Sequence, residues 1–318
     1  AEAALEFLAD CGVGIDKPNP RQYAARIPAL PELTVLFQRP GDIVVGVRDG
    51  SVDFGIAGLD TVAERQGENG AVIILHDALD FGHCHLCIAV PEEWSDVQAM
   101  GDLATYARTL KRPLRVATRF PHLTADFLSR YSVPFTLIDA EGTLEVAPAI
   151  GYADAIADLV SSGQTLRDNR LRPLDDGIII RSQAVLVANR QALRHRPEVL
   201  AVARELLEVV EARLRAAARL SIFANIRGES PAAIAQRMFA QETLSGLQGP
   251  TISRVVIRDG DPHWYAVHIV VRRDRLFQAV AGLRAIGGSG VVVTPVTYIF
   301  EEEPARCRAL LEAIDGNE

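Results

Sequence analysis

The chain lacks the features that would place it in several broad classes. No apolar run approaches the roughly 20 residues needed to span a bilayer, and no charged-then-apolar leader opens it. Only four cysteines, Cys11, Cys84, Cys87 and Cys307, occur in 318 residues. That is too few for a disulfide scaffold, so the expected compartment is a reducing cytoplasm. Basic charge is not in excess either. The net charge of −8 argues against a protein that holds nucleic acid through its overall charge, while leaving room for a local basic pocket. A closed metal-ligand set is also missing. The nearest approach is His83-Cys84-His85-Leu86-Cys87, which lies in an apolar run that reads as a strand. Neighbours in a strand point to opposite faces, and no second Cys/His cluster completes four ligands.

What is present is an ordinary globular composition, 48% hydrophobic and 23% charged, in a chain long enough for two or three domains. The most informative stretch runs from Glu145 to Leu166. Three acids, Glu145, Asp154 and Asp158, precede Ser161-Ser162-Gly163-Gln164-Thr165-Leu166, with a small-residue amphipathic turn of helix expected between. This order suits a phosphorylated sugar. Hydroxyls and backbone N–H groups of a Ser/Gly/Thr loop can face a phosphate, and glycine permits close backbone approach. Nearby carboxylates can accept hydrogen bonds from ribose hydroxyls. An acidic helix followed by a plain polar turn is the competing local reading, because short motifs recur by chance.

The spacing of the whole stretch resembles the signature of the ATP phosphoribosyltransferase family, the first step of histidine biosynthesis. That pattern is Glu, five residues, Gly, a small residue one further on, then Ile/Val-x-Asp-Leu and Ser/Thr-Gly-x-Thr-Leu. Glu145, Gly151, Ala153, Ile156, Asp158, Leu159, Ser162, Gly163, Thr165 and Leu166 fill it without a gap. Two further segments are similar. One is Arg39-x-x-Asp42-Ile43 with Gly50–Asp60; the other is Thr118-Arg119-Phe120-Pro121 after a strand. The family begins with an earlier strand and a Pro-Lys-Gly-Arg-like loop that do not appear here, which leaves the completeness of its site open.

Taken in order, residues 1–11 read as a helix and 12–32 as irregular. Leu33–Gln38 reads as a strand, followed by a helix with Asp42 as candidate cap. Short apolar runs at 71–75, 83–90, 114–117, 135–138, 174–180 and 184–188 alternate with helices. That pattern predicts an α/β class with largely parallel sheets. Two crossings, near Pro91 and Arg181, predict two lobes with a ligand cleft between them. Residues 190–219 read as one long helix. From Leu220, strand–helix–strand occurs twice, the ferredoxin-like order, with a hairpin turn expected at Asp259–Pro262 and a last helix over 304–314. The expected fold is therefore α/β: a two-lobed, periplasmic-binding-protein-like catalytic region with a C-terminal ferredoxin-like (ACT-like) α+β domain. Residues 1–91 with 180–220 would form the first lobe, 92–179 the second, and 221–318 the terminal domain.

The resemblance implies a reaction in which N1 of ATP attacks C1 of phosphoribosyl pyrophosphate, with Mg²⁺ on the departing pyrophosphate. It implies Ser161–Leu166 on the 5-phosphate, and Glu145 and Asp158 on the ribose hydroxyls. For ATP it offers Arg39, Asp60, Arg119 and Phe120. Asp60 either meets substrate or caps a helix; Arg119 either pairs with phosphate or lies free on the surface; Phe120 either stacks on the purine or packs in a core. Histidine as feedback inhibitor would bind the terminal module, with Leu247, Gly249, Thr251 and Ser289 as candidates, and the assembly would be a homo-oligomer, hexamer or dimer. A pure oligomerisation role is the other reading of that module. The residues need no activated nucleophile, since a ring nitrogen brings its own lone pair; positioning and charge stabilisation suffice. Other classes with two such lobes are solute-binding proteins, regulator sensor domains and a catalytically idle family member. Glu145–Leu166 weighs against the first two.

Overall fold

The computed structural model describes residues 2–17, 19, 22–67, 69–140, 142, 144–256 and 263–315. Helix α1 (Glu2–Asp10) is followed by an antiparallel ribbon of β1 (Ala24–Ile27) and β2 (Leu30–Leu36), in the stretch expected to be largely irregular. Helix α2 (Pro40–Asp49) starts where proline is best tolerated, at its first position, so Arg39 and not Asp42 occupies the cap position. Its other end closes on Gly50 in the left-handed conformation. Then come β3 (Phe54–Gly58), α3 (Leu59–Arg65) and β4 (Val72–His76).

The next elements are β5 (Cys84–Pro91), α4 (Met100–Thr109), β6 (Leu114–Thr118), α5 (Pro121–Arg130) and β7 (Phe135–Asp139). A single 3-10 turn (Leu144–Val146) leads to β8 (Ala155–Val160), α6 (Gln164–Asp168), β9 (Leu171–Ser182) and β10 (Ala184–Asn189). The expected long helix is broken. Pro197 disfavours a helical Arg196 before it, separating α7 (Arg190–His195) from α8 (Pro197–Ala217).

Two sheets organise this first part. One has the order β3-β10-β4; the other has the order β7-β6-β8-β5-β9. Strand β5 pairs with β8 and β9 along its length, so the chain enters the second sheet before Cys84 and not at Pro91. Strand β9 is one long irregular strand of that same sheet, where two short returning runs, 174–176 and 177–180, were expected, and the chain leaves it after Ser182. Among the described residues, only the β6–β7 and β6–β8 pairs are parallel; the other pairings are antiparallel, against the expectation of largely parallel sheets. Met100, Leu103, Leu114 and Leu128 are fully buried on one side of the five-stranded sheet, and Leu144, Ile156 and Leu166 pack on the other. Val44, Val47, Val62, Val185 and Val187 form the core of the three-stranded sheet.

The chain divides into two compact units, residues 1–205 with 306–318, and residues 206–305. The second contains β11 (Arg219–Arg227), α9 (Pro231–Phe239), β12 (Thr251–Arg254), β13 (Trp264–Arg272), α10 (Leu276–Ala285) and β14 (Gly288–Pro295). Its all-antiparallel order β12-β13-β11-β14 is the ferredoxin-like arrangement that the sequence predicts. Alternating burial along β11 and β13 shows why: one face carries Ile222, Ile226, Val267 and Ile269 against Ile234, Met238 and Leu283. Ser230 caps α9, its hydroxyl accepting from Ala233 N. The turn expected at Asp259–Pro262 lies outside the described residues. The last helix, α11 (Ala305–Asp315), groups with the first unit and not with the terminal module: Arg190 and Arg194 donate to the carbonyls of Ala313 and Ile314.

Candidate active site

Ala155–Val160 form a strand, where a helix was expected. Ala155 and Ala157 face one core, Ile156 and Val160 the other, so β8 is apolar on both sides and shows no alternation. Strand β8 lies beside β6 in parallel, with Thr118 opposite Ala157. Their carboxyl ends therefore release two loops side by side: Arg119-Phe120 after β6, and Ser161-Ser162-Gly163 after β8. The crevice beyond such strand ends is the usual place for a ligand in an open α/β sheet. An open cleft lies there, lined by Glu145, Asp158, the 161–163 loop, Thr165 and Leu166, among others.

The loop keeps its polarity available. Gly163 has φ +72°, which turns the chain sharply into α6. Ser161, Ser162, Gln164 and Thr165 are exposed, while Leu166 is buried and anchors the loop to the core. Gln164 N donates to Ser162 Oγ at 3.4 Å. Among the described residues no acceptor takes the amides of Ser161, Ser162, Gly163 or Thr165. Arg167 was missed in the sequence. Its Nη2 donates to Ser162 O at 3.2 Å and Gln164 Oε1 at 3.0 Å, bracing the loop from behind and adding positive charge beside it. A basic residue one turn beyond a phosphate-type loop was the available signal.

The three acids divide. Glu145, in the 3-10 turn, and Asp158, near the end of β8, both line the cleft. Asp158 is buried, and its Oδ1 accepts from Arg119 Nη2 at 3.1 Å and from Leu159 N at 2.8 Å. Asp154 is instead structural. Burial opposes its charge, but hydrogen bonds from Arg112 and Arg115 outweigh that and hold its carboxyl well below the usual range. Cys87 sits opposite Asp158 on β5; burial, then the Asp158 charge, pushes its thiol up to about 12, so it stays protonated.

The remaining candidates scatter. Arg119 reaches the cleft wall through Asp158. Phe120 is 7% exposed and packs in the core beside Phe127 and Leu128, so it offers no face to a purine. Asp60 is buried and takes hydrogen bonds from the Ser182 and Thr61 hydroxyls; it neither caps α3, where Gly58 holds that position, nor meets the cleft. Arg39 is exposed before α2 and is not among the residues lining the cleft. In the second unit, Leu247 and Gly249 precede β12, Thr251 lies on β12, and Ser289 lies on β14 with its hydroxyl donating to Asn225 O. Strands β12 and β14 are opposite edges of the sheet, roughly 14 Å apart by strand spacing. Thr251 and Ser289 are therefore not brought together within one chain. In the His83–Cys87 segment, His83 Nε2 lies 3.3 Å from Asp80 Oδ1, and among the described residues no group of three or more His, Cys, Asp or Glu is gathered as for a metal.

Two family models match this chain. That for ATP phosphoribosyltransferase covers residues 39–214, and that described as the HisG C-terminal domain covers 216–298. A relative from Arabidopsis thaliana, ATP phosphoribosyltransferase 2, chloroplastic, is 46% identical over 98% of this chain and 77% of its own length. An ATP phosphoribosyltransferase of Methanocaldococcus jannaschii is 31% identical over 94% of this chain and 96% of its own. Among solved structures, an ATP phosphoribosyl transferase (HisG:HisZ) complex from Thermotoga maritima shares the fold. It has a TM-score of 0.52 at 23% identity, covering 66% of this chain and 93% of that one.

Proposed function

The chain belongs to the ATP phosphoribosyltransferase family, and from that premise we propose how its residues divide the work. The reaction is the first step of histidine biosynthesis: the phosphoribosyl group of phosphoribosyl pyrophosphate passes to N1 of ATP, giving phosphoribosyl-ATP and pyrophosphate. The observation that carries the assignment of residues is the 161–165 loop, whose unspent amides and hydroxyls open onto the cleft that holds Glu145 and Asp158.

In this reading Ser161–Leu166 takes the 5-phosphate, with Arg167 bracing the loop. Asp158 and Glu145 accept hydrogen bonds from the ribose hydroxyls, which places C1 at the mouth of the cleft. Asp158 keeps its Arg119 contact on Oδ1 and turns Oδ2 to the sugar. Held there, Arg119 also lends positive charge to the side of the cleft where the pyrophosphate lies. Mg²⁺ belongs with the substrate's phosphates, consistent with an ion that keeps much of its water and binds through one or two carboxylates plus phosphate oxygens. Glu145 and Asp158 fit that limited role. The lone pair of N1 makes the bond as pyrophosphate leaves, so the protein's part is alignment and charge.

Histidine inhibition and a homo-oligomer, hexamer or dimer, complete the proposal. Since Thr251 and Ser289 sit at opposite sheet edges, an effector site using both would need a second copy of the module. The test of the reaction is incubation with ATP, phosphoribosyl pyrophosphate and Mg²⁺. Pyrophosphate release with the ultraviolet change of an N1-substituted adenine is expected; with Ser162→Ala/Thr165→Ala the phosphoribosyl pyrophosphate requirement should rise. Turnover without that rise would remove the loop from the proposal.

A further inference from the structure

Helix α5 begins without a cap of its own. Phe120 occupies the cap position with an apolar side chain, and Pro121 follows at the first helical position. The next two amides are taken by a residue about 60 positions earlier in the chain. Glu64 Oε1 accepts from His122 N at 2.9 Å and Oε2 from Leu123 N at 3.0 Å. The His122 ring adds a third bond, Nδ1 to Oε1 at 2.8 Å. A carboxylate can only accept, so Nδ1 carries the hydrogen. The Glu64 side chain is 4% exposed, a costly placement for a carboxylate unless its bonds are satisfied. A Ser or Asp at position 120 would cap the helix locally. What a local cap cannot do is join α5 to α3, which packs with the three-stranded sheet through Val62.

The joined segment is the one that carries Arg119. On its other side Thr118 is fully buried, its hydroxyl accepting from Phe120 N at 3.0 Å and meeting Thr124 Oγ1 at 3.2 Å. Thr124 N donates to Phe120 O. The backbone from 118 to 124 is thus pinned at both ends, and Arg119 projects from between the pins onto Asp158. Asp60 and Ser182 anchor the start of α3 in turn, tying that helix to the end of β9. We propose that Glu64 is a positioning residue for phosphoribosyl transfer: by capping α5 from α3 it sets the Arg119 loop, and through Arg119 the orientation of Asp158. This rests on the reading that Asp158 contacts the sugar.

The test is a double-mutant cycle on the full chain, read as kcat/KM for phosphoribosyl pyrophosphate, with thermal denaturation run alongside. Glu64→Ala should lower kcat/KM about 10-fold at temperatures where the protein is fully folded, and Arg119→Ala by a similar factor. The double variant should fall little further than either alone, since both changes release the same contact. Glu64→Gln, which keeps volume and one acceptor, should recover part of the loss; it also carries the test should the alanine protein not fold. Additive losses, or a Glu64→Ala protein that is destabilised yet has wild-type kcat and KM, would overturn the proposal and leave only a structural cap. Asp158→Asn separates the underlying reading: wild-type kinetics there would remove the sugar site itself, whereas a loss there with additive Glu64 and Arg119 effects would remove Glu64 alone.

Discussion

Arg119 and Asp158 meet at the ends of two parallel neighbours, a half-exposed guanidinium on a buried carboxylate at 3.1 Å. The strand register makes this contact, because Thr118 pairs with Ala157 and the next residue on each strand falls alongside. An ion pair at the mouth of a cleft can hold a carboxylate in place until a ligand's hydroxyls arrive. Asp158→Asn keeps the shape but removes the charge. Hydrogen bonds to charged groups contribute about 1.5–3 kcal/mol, so kcat/KM for phosphoribosyl pyrophosphate should fall roughly 10- to 100-fold. Steady-state kinetics with ATP held saturating measures it.

The hydroxyls of Ser162 and Thr165 are exposed and carry no part of the core. Replacing both by alanine should raise KM for phosphoribosyl pyrophosphate by about 10-fold or more, at roughly 1 kcal/mol or above for each lost bond. The melting temperature should not move. A large drop in melting temperature would mean that the loop supports the fold and not the ligand.

Gly163 needs its left-handed backbone, which costs an ordinary residue about 1–2 kcal/mol. A Cβ there would also lie 3.1 Å from Arg167 Nη1 and push aside the side chain that braces the loop. Gly163→Ala should therefore weaken phosphoribosyl pyrophosphate more than ATP. Binding titrations of each substrate with the variant check the asymmetry.

His76 gives a stability effect with a defined sign. Burial first, then the Arg306 charge, lowers its pKa to about 4 from the ordinary 6.5, against a smaller opposing effect of Asp77. The unfolded chain takes up the proton first as pH falls. The contribution is thus present above about pH 6.5 and is lost on acidification toward pH 4, reaching about 2 kcal/mol by pH 5. Urea denaturation at pH 7 and pH 5 should show this loss, and His76→Asn should reduce it. Asparagine can still accept from Ala78 N, as Nδ1 does now.

Ending the chain at Leu220 would remove the terminal module, but it would also remove α11. Cys307, Leu310 and Ile314 of that helix are buried. Burial of Leu and Ile contributes about 1.5–3 kcal/mol each, so the truncated protein should lose at least about 3 kcal/mol. A clean test of histidine response therefore uses the full chain, with histidine titrated into the assay. A truncated protein as stable as the full chain would contradict the placement of α11.

Much of this was legible in the residues. Ser161, Ser162 and Gly163 form a turn into α6 that is decided locally, by the Ser162 hydroxyl, which accepts from Gln164 N, and by one residue free to take positive φ. The terminal module was legible because β11 and β13 alternate on a one-faced sheet. Strand β8 was not. Buried on both faces and built from alanine, isoleucine and aspartate, it shows neither period 2 nor a clear helical stripe. Pro91 suggested a crossing because proline ends many strands, yet an edge of the chain's path is set by which sheet β5 pairs with.

The spacing from Glu145 to Leu166, read with the family resemblance it carries, singled out the polar groups and the turn they sit in. Folding decided what each of those groups touches. Asp154 went to Arg112 and Arg115, Phe120 to the core, Asp60 to Ser182, and Glu64 to the start of α5. Those partners lie from 39 to 122 residues apart in the chain for the polar pairs, and no local propensity encodes such a distance. A buried charge accepts whichever donors the packed sheets bring within reach, so the choice between ligand contact and structural contact is made by tertiary packing.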